Sequence, residues 1–303
     1  MFNSMLQTAW WAKFKETASW VPQRLDGVMT LTRNLPFGKS LTYIPESPLD
    51  QKTLAVVEAT KIKAPPGRIF TRFEFFELWT AEKAAALLEL GLMKSFEEVQ
   101  PEYRQWVFLD KPESQILKDM KSKGRYNIKT AERHHLKIGT GINNESIQTL
   151  HSLYQETANR ADFQGRSADY FRRLAQMLSQ NNCGEIVTVS KDNEPLAAVL
   201  VSFFGGVASY LYGGSGADRT LMASHLAQWE TIKLAKKHGC FLYDLLAVAP
   251  PDNPSHPYVG ITRFKTQFGG QTVRMLGSWD LVHSPFWYSL YRFAEKRRRK
   301  VLR

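Results

Sequence analysis

The sequence Tyr210-Leu-Tyr-Gly-Gly-Ser215 ends a predicted strand in the second half of this 303-residue chain. Tyr210 and Tyr212 alternate with Leu211, so the pattern predicts that both phenols lie on one face of the strand. The glycines that follow predict an open loop beside these two hydroxyl groups.

A helix and a second strand are predicted after this loop. Residues 223–237 carry apolar side chains at roughly helical spacing, and Gly239 is expected to end the helix. Leu226, Trp229 and Ile232 are interpreted as core residues of that helix. A strand over 241–247 follows.

The sequence Arg263-Phe-Lys-Thr-Gln-Phe-Gly-Gly270 places Lys265 just before a glycine pair at which the chain must turn. An ammonium group at such a turn can point into a cleft and stabilise the oxyanion that forms when an amine attacks an ester. Composition alone favours a solvated loop residue instead, because most lysines are exposed.

Composition limits the classes of protein that fit. The chain has 40 basic and 29 acidic residues, a formal net charge of +11, and 43% hydrophobic residues. Length and hydrophobic content predict a globular protein with two cores. The excess of positive charge favours a polyanionic partner such as RNA, a phosphorylated precursor or an anionic membrane. Cys183 and Cys240 lie in no CxxC pair or histidine cluster, so a reduced compartment and no metal site are expected.

The N-terminal residues have neither a basic start nor a long apolar run, so no signal peptide is expected. No segment reaches the roughly 18 apolar residues that a membrane span requires. The expected location is therefore cytoplasmic, with the inner face of the cell membrane as a further site of action.

Two segments concentrate basic residues. Residues 114–137 predict a pair of helices that breaks near Gly124, and their cations fit either a solvated helix face or contact with phosphate groups. The C-terminal segment, 284–303, alternates aromatic residues with Lys296-Arg-Arg-Arg-Lys300. It fits a helix whose aromatics pack on the first domain and whose arginines meet a membrane surface or RNA.

Arg166 and Tyr170 lie one helical turn apart, so their side chains are predicted to meet. A guanidinium beside a phenol can hold a diphosphate or a carboxylate. From spacing alone, Arg166 could also be a surface residue that caps a helix.

In their order along the chain, these motifs resemble the acyl-transfer half of the FemABX family. Members of this family are aminoacyl-tRNA-dependent transferases that extend the stem peptide of peptidoglycan. The segment Met120-Lys-Ser-Lys-Gly-Arg-Tyr-Asn127 also resembles a recurrent family segment, and the resemblance extends from Gln7 to Pro285. It carries no information about which amino acid is transferred.

The resemblance implies an α/β (α+β) fold with two acetyltransferase-like (GNAT) domains in tandem. The coiled-coil arm of some members is expected to be absent, because no long polar heptad-like insertion occurs. The first domain is expected to comprise residues 1–138 with a return segment, 276–303. The second is expected to comprise residues 139–275 and to carry the transfer site.

A short internal repeat in the sequence agrees with a duplicated helix–strand unit. The same residue types recur at an offset of 172 residues before two predicted strands: Glu58, Lys61 and Gly67, then Glu230, Lys233 and Gly239. Three matches are weak evidence by themselves, and coincidence is an alternative.

The resemblance also implies the roles of individual residues. Phe264 and Lys265 match the pair associated with aminoacyl transfer. The family binds its precursor through a lysine, an Arg-x-x-x-Tyr pair and a strand tyrosine. These match Lys39, Arg166, Tyr170 and Tyr212, with Tyr210 as a substitute for Tyr212. Contact with tRNA or phosphate is expected at Lys121, Lys123 and Arg125.

One departure concerns the acceptor side. Many members have arginine and glycine in a Tyr-Ile-Pro-Arg-Gly-Pro run, where this chain has Glu46 and Ser47. The change of charge is expected to alter the acceptor site.

The implied reaction is attack by the stem-peptide amine of a UDP-linked or lipid-linked peptidoglycan precursor on the ester of an aminoacyl-tRNA. The tRNA is a co-substrate, and neither a cofactor nor a metal is expected. Asp244, at the end of its strand, is a candidate base and equally a candidate structural aspartate.

Two other functions are considered. An acyl-CoA N-acyltransferase would share the fold, but it favours a glycine-rich loop at a helix N-terminus, where this chain has Met222. A non-catalytic RNA-binding or membrane-binding protein would use the charge of +11 and would tolerate substitution of Lys265.

Overall fold

Two compact units make up the chain in the computed structural model, which describes residues 4–301. The first unit combines the residues up to Glu102 with those from Arg274 onward, and the second unit is Tyr103–Val273. Each unit has its own hydrophobic core. The chain is thus discontinuous in the first unit, as the return segment in the sequence predicted.

The division between the units lies after Glu102, whereas the sequence analysis placed it after residue 138. The physical reason is the packing of the segment between these two positions. Ile116, Met120 and Ile128 are each no more than 2% exposed and belong to the core of the second unit. The basic segment is therefore part of the second unit.

The first unit is a sheet with helices attached. Its N-terminal part contains α1 (Ala9–Glu16), β1 (Val21–Leu25), β2 (Val28–Leu35), β3 (Lys39–Ser47), α2 (Gln51–Ile62), β4 (Arg68–Leu78), α3 (Ala81–Glu89) and β5 (Met93–Lys94).

The second unit is also a mixed sheet covered by helices. It contains β6 (Tyr103–Phe108), α4 (Glu113–Asp119), α5 (Ser122–Arg133), β7 (Lys137–Thr140), α6 (Asn144–Arg160), α7 (Ala168–Gln180), β8 (Gly184–Lys191), β9 (Glu194–Phe204), β10 (Val207–Ser215), α8 (Ala223–Lys237), β11 (Leu242–Ala247) and α9 (Val259–Lys265). The chain then returns to the first unit through β12 (Gln271–Val282) and ends in α10 (Pro285–Val301).

Strand pairing is the same in the two units. In the first unit β1, β2 and β3 pair antiparallel, β3 pairs parallel with β4, and β4 pairs antiparallel with β12. In the second unit β8, β9 and β10 pair antiparallel, β10 pairs parallel with β11, and β11 pairs antiparallel with β6. A helix, α2 or α8, connects each parallel pair. This repetition confirms the predicted α/β class with two units of one architecture.

The short internal repeat in the sequence corresponds to the same helix and the same following glycine in both units. Gly67 and Gly239 follow these two helices with φ of 76° and 72°, a backbone conformation that favours glycine. The pair Glu58 and Lys61 and the pair Glu230 and Lys233 each form an ion pair one turn apart on the helix. The predicted helix–strand repeat is therefore observed.

The break in the basic segment lies before Gly124, at Met120 and Lys121, between α4 and α5. Gly124 is buried within the first turn of α5, where an added Cβ would lie 2.4 Å from the backbone oxygen of Gln267. The predicted helix pair is therefore observed with its break a few residues before Gly124, and the glycine itself permits close packing and does not end a helix.

A buried ion pair holds α10 on the first unit. Arg72 donates to both carboxylate oxygens of Asp280, at 2.7 and 2.8 Å, and the hydroxyl of Tyr288 donates to the same carboxylate at 2.7 Å. All three residues are less than 5% exposed. No helix in the described part of the chain is both long and apolar enough to cross a membrane.

Candidate active site

Lys265 is the last residue of α9 and is only 6% exposed. Its ammonium donates to the backbone oxygen of Ala247 at 2.7 Å and lies 5.6 Å from the centre of the Tyr210 ring. Burial lowers the pKa of Lys265 to about 8, and the charge of Asp244 opposes part of that decrease. The alternative of a solvated loop lysine is wrong, because the side chain is enclosed by the second unit.

The carbonyl that Lys265 contacts lies at an irregularity in β11. The pairing of β11 with β6 shifts between Asp244 and Ala247, and Leu246 has a φ of 55°, which is rare for a branched residue. The fully buried Asp244 carboxylate accepts from the Leu246 amide at 2.7 Å and from the Arg104 guanidinium at 3.1 Å. These charge-assisted bonds stabilise the bulge and favour the structural interpretation of Asp244 over the candidate base.

Phe264 packs between aromatic rings and contributes to the core of the second unit. Its ring centre lies 5.1 Å from that of His225 and 5.1 Å from that of Phe268. Gly270 then passes so close to β6 that an added Cβ would lie 1.8 Å from the oxygen of Trp106, and its φ is 73°. The motif is therefore fixed on both sides of Lys265.

The predicted phosphate-binding segment packs directly against this motif. The Lys121 amide donates to the oxygen of Gln267 at 3.1 Å, and the Lys121 ammonium lies 3.1 Å from the Thr266 hydroxyl. Lys121 and Lys123 are exposed. Arg125 differs, because its guanidinium donates to backbone oxygens at the end of α4. The two lysines thus present exposed charge beside the motif, whereas Arg125 has a structural contact.

The second predicted cluster forms where α7 meets β10. The hydroxyls of Tyr170 and Tyr212 lie 3.1 Å apart, and the Arg166 guanidinium lies 5.2 Å from the centre of the Tyr170 ring. Burial raises the pKa of Tyr170, and the neighbouring Tyr212 raises it further. The Tyr170 phenol therefore stays protonated and can donate a hydrogen bond. The predicted meeting of Arg166 with Tyr170 is confirmed.

Two residues of this cluster were missed by the sequence analysis, and both lie on α6. The Tyr154 ring meets the Tyr212 ring edge to face at 5.7 Å, and the Gln155 amide donates to the backbone oxygen of Arg166 at 2.9 Å. Nothing in the local sequence of α6 indicates these contacts, because they depend on how α6 packs on the sheet. They fix the backbone and the aromatic wall of the cluster.

Tyr210 and Tyr212 lie on opposite faces of the sheet, so the prediction of a shared face was wrong. Tyr210 pairs with Val201, whereas Tyr212 pairs with the adjacent Leu200, which makes Leu211 the extra residue of a β-bulge. Because successive residues of a strand alternate in direction, the bulge reverses the face on which Tyr212 lies. Tyr210 consequently lies beside Lys265 and does not substitute for Tyr212 in the arginine cluster.

Lys39 belongs to the first unit, at the start of β3. Its ammonium lies 4.7 Å from the centre of the Trp287 ring on α10, a contact typical of a cation–π interaction. The sequence analysis did not connect these two residues, since they are far apart in the chain. Lys39 is half-buried and retains part of its surface for a ligand.

Glu46 is also in the first unit and is 7% exposed with a φ of 38°. Its carboxylate accepts a hydrogen bond from the Ser4 hydroxyl at 2.5 Å. A buried carboxylate therefore stands where the resemblance would place an arginine. Within residues 4–301, no group of three or more His, Cys, Asp or Glu side chains is arranged to hold a metal ion.

Comparison with known proteins gives consistent matches. The profile of the FemAB family matches residues 86–189 and 178–296, together more than half of the chain. A lipid II:glycine glycyltransferase of Staphylococcus epidermidis is 22% identical over 84% of this chain and 74% of that protein. The corresponding protein of Staphylococcus haemolyticus is 22% identical over 70% of this chain and 65% of its own length.

Two solved structures share the fold. The crystal structure of FemX superposes with a TM-score of 0.85 at 18% identity, covering 95% of this chain and 94% of that one. The structure of L-PGS from Bacillus licheniformis superposes with a TM-score of 0.58 at 12% identity, covering 98% of both chains.

Proposed function

The chain belongs to the FemAB family, and we propose that it is an aminoacyltransferase that adds an amino acid to the stem-peptide amine of a peptidoglycan precursor. Relatives named lipid II:glycine glycyltransferases support this reaction class. The observation that carries the proposal is the buried Lys265 ammonium, held by Ala247 beside Tyr210.

We infer that the donor is an aminoacyl-tRNA. Lys121 and Lys123 support this inference, because they present exposed positive charge beside the motif that contains Lys265. The net charge of +11 suits a large polyanionic donor. Since aminoacyl-tRNA is a cytoplasmic compound, the proposed reaction takes place on that side of the membrane.

The chemistry is aminolysis of an ester. The uncharged stem-peptide amine forms a bond to the ester carbonyl carbon, and negative charge develops on the carbonyl oxygen. The bond from that carbon to the ribose oxygen then breaks, the proton lost by the amine ends on the ribose hydroxyl, and an amide remains. The protein has to align the two reactants and stabilise the oxyanion.

In this proposal Lys265 supplies the positive charge for the oxyanion. Its ammonium is already desolvated and held in one position, so little reorganisation is needed when charge develops. Phe264 contributes to the aromatic packing that fixes the end of α9. A pKa of about 8 keeps most of the Lys265 side chains cationic at pH 7.

Arg166, Tyr170 and Tyr212 are proposed to hold an anionic group of the precursor, such as its diphosphate. The cluster offers one guanidinium and two phenol donors within a few ångströms, which suits phosphate oxygens. Lys39 is proposed as a further cation for the precursor, and it belongs to the first unit.

One observation keeps an acyl-CoA-dependent reaction as the second candidate. Met222 precedes α8 with a φ of 53°, so the backbone has the left-handed conformation expected of a glycine in a phosphate-binding loop. The sequence argument from the missing glycine is weakened by this conformation. The Met222 side chain nevertheless remains and packs against the core.

The test is to incubate the purified protein with mixed aminoacyl-tRNA and either a UDP-linked or a lipid-linked precursor, and to measure the precursor mass. The proposal predicts a mass increase of one amino acid that RNase treatment of the donor abolishes. Transfer from an acyl-CoA, with none from any aminoacyl-tRNA, would replace this proposal with the second candidate. Lys237→Ala, which changes an exposed lysine at the end of α8, is the control variant for Lys265→Ala.

A further inference from the structure

Helix α10 packs on the first unit through one face only. Tyr288 is 4% exposed, and its ring meets the Phe70 ring at 5.3 Å. Tyr291 lies one turn further along and meets the Phe70 and Phe96 rings at 5.2 and 6.3 Å. Together with the hydrogen bond from Tyr288 to Asp280, these contacts fix which side of the helix faces outward.

The outward side of α10 carries a stripe of large apolar side chains. Phe286, Leu290 and Phe293 are 73%, 48% and 54% exposed. Their spacing of four and three residues places them on one face of a helix. Single exposed apolar residues are common, but a contiguous stripe indicates an interaction site.

A second element extends this stripe. Phe37, in the turn between β2 and β3, is 83% exposed and has a φ of 60°. Its ring centre lies 6.1 Å from that of Trp287, which in turn lies 5.7 Å from that of Phe286. A bulky aromatic residue in the left-handed conformation is strained, and an exposed side chain contributes little burial to offset that strain. Phe37, Phe286, Leu290 and Phe293 are together called the apolar stripe.

Positive charge surrounds the apolar stripe. Arg297 lies over the Phe293 ring at 4.5 Å, Lys39 lies over the Trp287 ring at 4.7 Å, and Lys296 is exposed. The sequence from residue 285 to 301 has six basic residues and a single acidic one, Glu295. Glu295 forms an ion pair with Arg298 at 2.8 Å. The surroundings of the stripe are therefore strongly cationic.

We propose that the apolar stripe docks on the surface of an anionic phospholipid bilayer. A helix with an aromatic and aliphatic face flanked by arginines and lysines binds such a surface by inserting its apolar side chains between headgroups. A second copy of the chain fits poorly, because it would bring two strongly basic surfaces together. This docking does not depend on the transfer reaction. It would place the protein at the membrane surface.

The test measures binding of the full chain to vesicles by co-sedimentation, with vesicles of phosphatidylcholine alone or mixed with phosphatidylglycerol. Binding is expected only with phosphatidylglycerol and is expected to weaken as salt rises. The triple variant Phe286→Ser, Leu290→Ser, Phe293→Ser is expected to bind at least about a hundredfold more weakly, since each side chain loses its apolar burial. Leu88→Ser, an exposed position 59% accessible on α3, is the matched control and should bind like the wild type.

A second variant separates charge from apolar contact. Lys296→Gln with Arg297→Gln is expected to weaken binding about twenty-fivefold, at about fivefold for each charge. Circular dichroism and the midpoint of urea unfolding should match the wild type, because all five substituted side chains are exposed.

Several results would overturn the proposal. One is a folded triple variant that binds anionic vesicles as tightly as the wild type, and another is equal binding of the wild type to neutral vesicles. A third is a wild-type dimer, seen by sedimentation without lipid, that the triple variant converts to a monomer. That result would assign the stripe to a second copy of the chain. None of these measurements depends on transferase activity, so they stand apart from the test of the proposed function.

Discussion

Replacing Lys265 by methionine should abolish transfer and yet make the folded chain more stable at pH 7. The reason is the environment of the ammonium, which is 6% exposed. Its pKa falls from an ordinary value of 10.5 to about 8, which corresponds to about 3 kcal/mol by which the fold disfavours the charged form. Methionine has a similar length and fills the same volume without that cost.

The substitution also removes a hydrogen bond. The backbone oxygen of Ala247 accepts from Lys265 at 2.7 Å and would be left without this donor, at a cost of about 1 to 3 kcal/mol. The balance for Lys265→Met at pH 7 is therefore a gain in unfolding free energy of about 0 to 2 kcal/mol. A residue that the fold holds at a cost is typical of an active site.

The contribution of Lys265 to the unfolding free energy depends on pH. The folded pKa of Lys265 is lower than the unfolded one, so the unfolded chain binds more protons between pH 8 and about pH 10. The wild type should therefore gain stability from this group as pH rises through that range. The advantage of Lys265→Met should shrink accordingly.

The assay is urea unfolding of the wild type, Lys265→Met and the control Lys237→Met at pH 7 and pH 9.5. The control changes an exposed lysine and should stay within about 0.5 kcal/mol of the wild type at both values. Destabilisation of Lys265→Met by more than about 2 kcal/mol at pH 7 would contradict a net cost of holding the charged Lys265. The ammonium would then stabilise the fold.

Three further substitutions test other parts of the structure. Gly270→Ala should lower the midpoint of thermal unfolding strongly or prevent folding, because a Cβ would lie 1.8 Å from a backbone oxygen, whereas Gly260→Ala, with nothing within 4 Å, should be tolerated. Asp280→Asn should destabilise the first unit by about 1 to 3 kcal/mol in urea unfolding, since it removes the charge of one of the two carboxylates paired with the buried Arg72, the other being Glu97. Arg166→Gln should raise KM for the precursor at least tenfold in steady-state kinetics, with a smaller change in kcat.

Each of these three substitutions has a control variant or a result that would contradict the prediction. Arg172→Gln changes an arginine of α7 that is paired at the surface with Asp169, and it should leave KM unchanged. An equal effect of Arg166→Gln and Arg172→Gln on KM would mean that general charge attracts the precursor. A stable Gly270→Ala protein would show that β6 and the motif can separate without cost. An Asp280→Asn protein as stable as the wild type would show that the ion pair with Glu97 is sufficient to hold the buried Arg72.

The helices and strands near the site followed largely from local sequence. The predicted limits of α8, residues 223–237, agree with the structure, because apolar spacing and Gly239 mark that helix clearly. The contact of Arg166 with Tyr170 was also predicted, although Arg166 precedes the cap residue Ser167 and therefore lies outside α7. These features depend on neighbouring residues, so a single sequence is sufficient to predict them.

Features that depend on pairing between distant strands could not be predicted in this way. The bulge at Leu211 arises from the register of β10 on β9, and it moves Tyr212 to the face opposite Tyr210. The contact of Asp244 with Arg104 likewise joins residues 140 positions apart. Only the fold shows that the two candidate tyrosines lie in different clusters.

The boundary between the two units was predicted at the wrong position for a similar reason. Residues 103–138, which contain the basic segment, were expected to belong to the first domain. Its apolar residues, Ile116, Met120 and Ile128, are spaced as in any amphipathic helix, and spacing does not indicate which core receives them.

In the proposed function, the buried cation at Lys265 stabilises the charge that develops during aminoacyl transfer. The most direct measurement is the single-turnover rate of transfer from aminoacyl-tRNA to precursor, with both bound, for the wild type and for Lys265→Met. We expect a rate at least about a hundredfold lower in the variant, with the affinities for donor and acceptor within about twofold of the wild type. An unchanged rate in a folded variant that binds both substrates would contradict it.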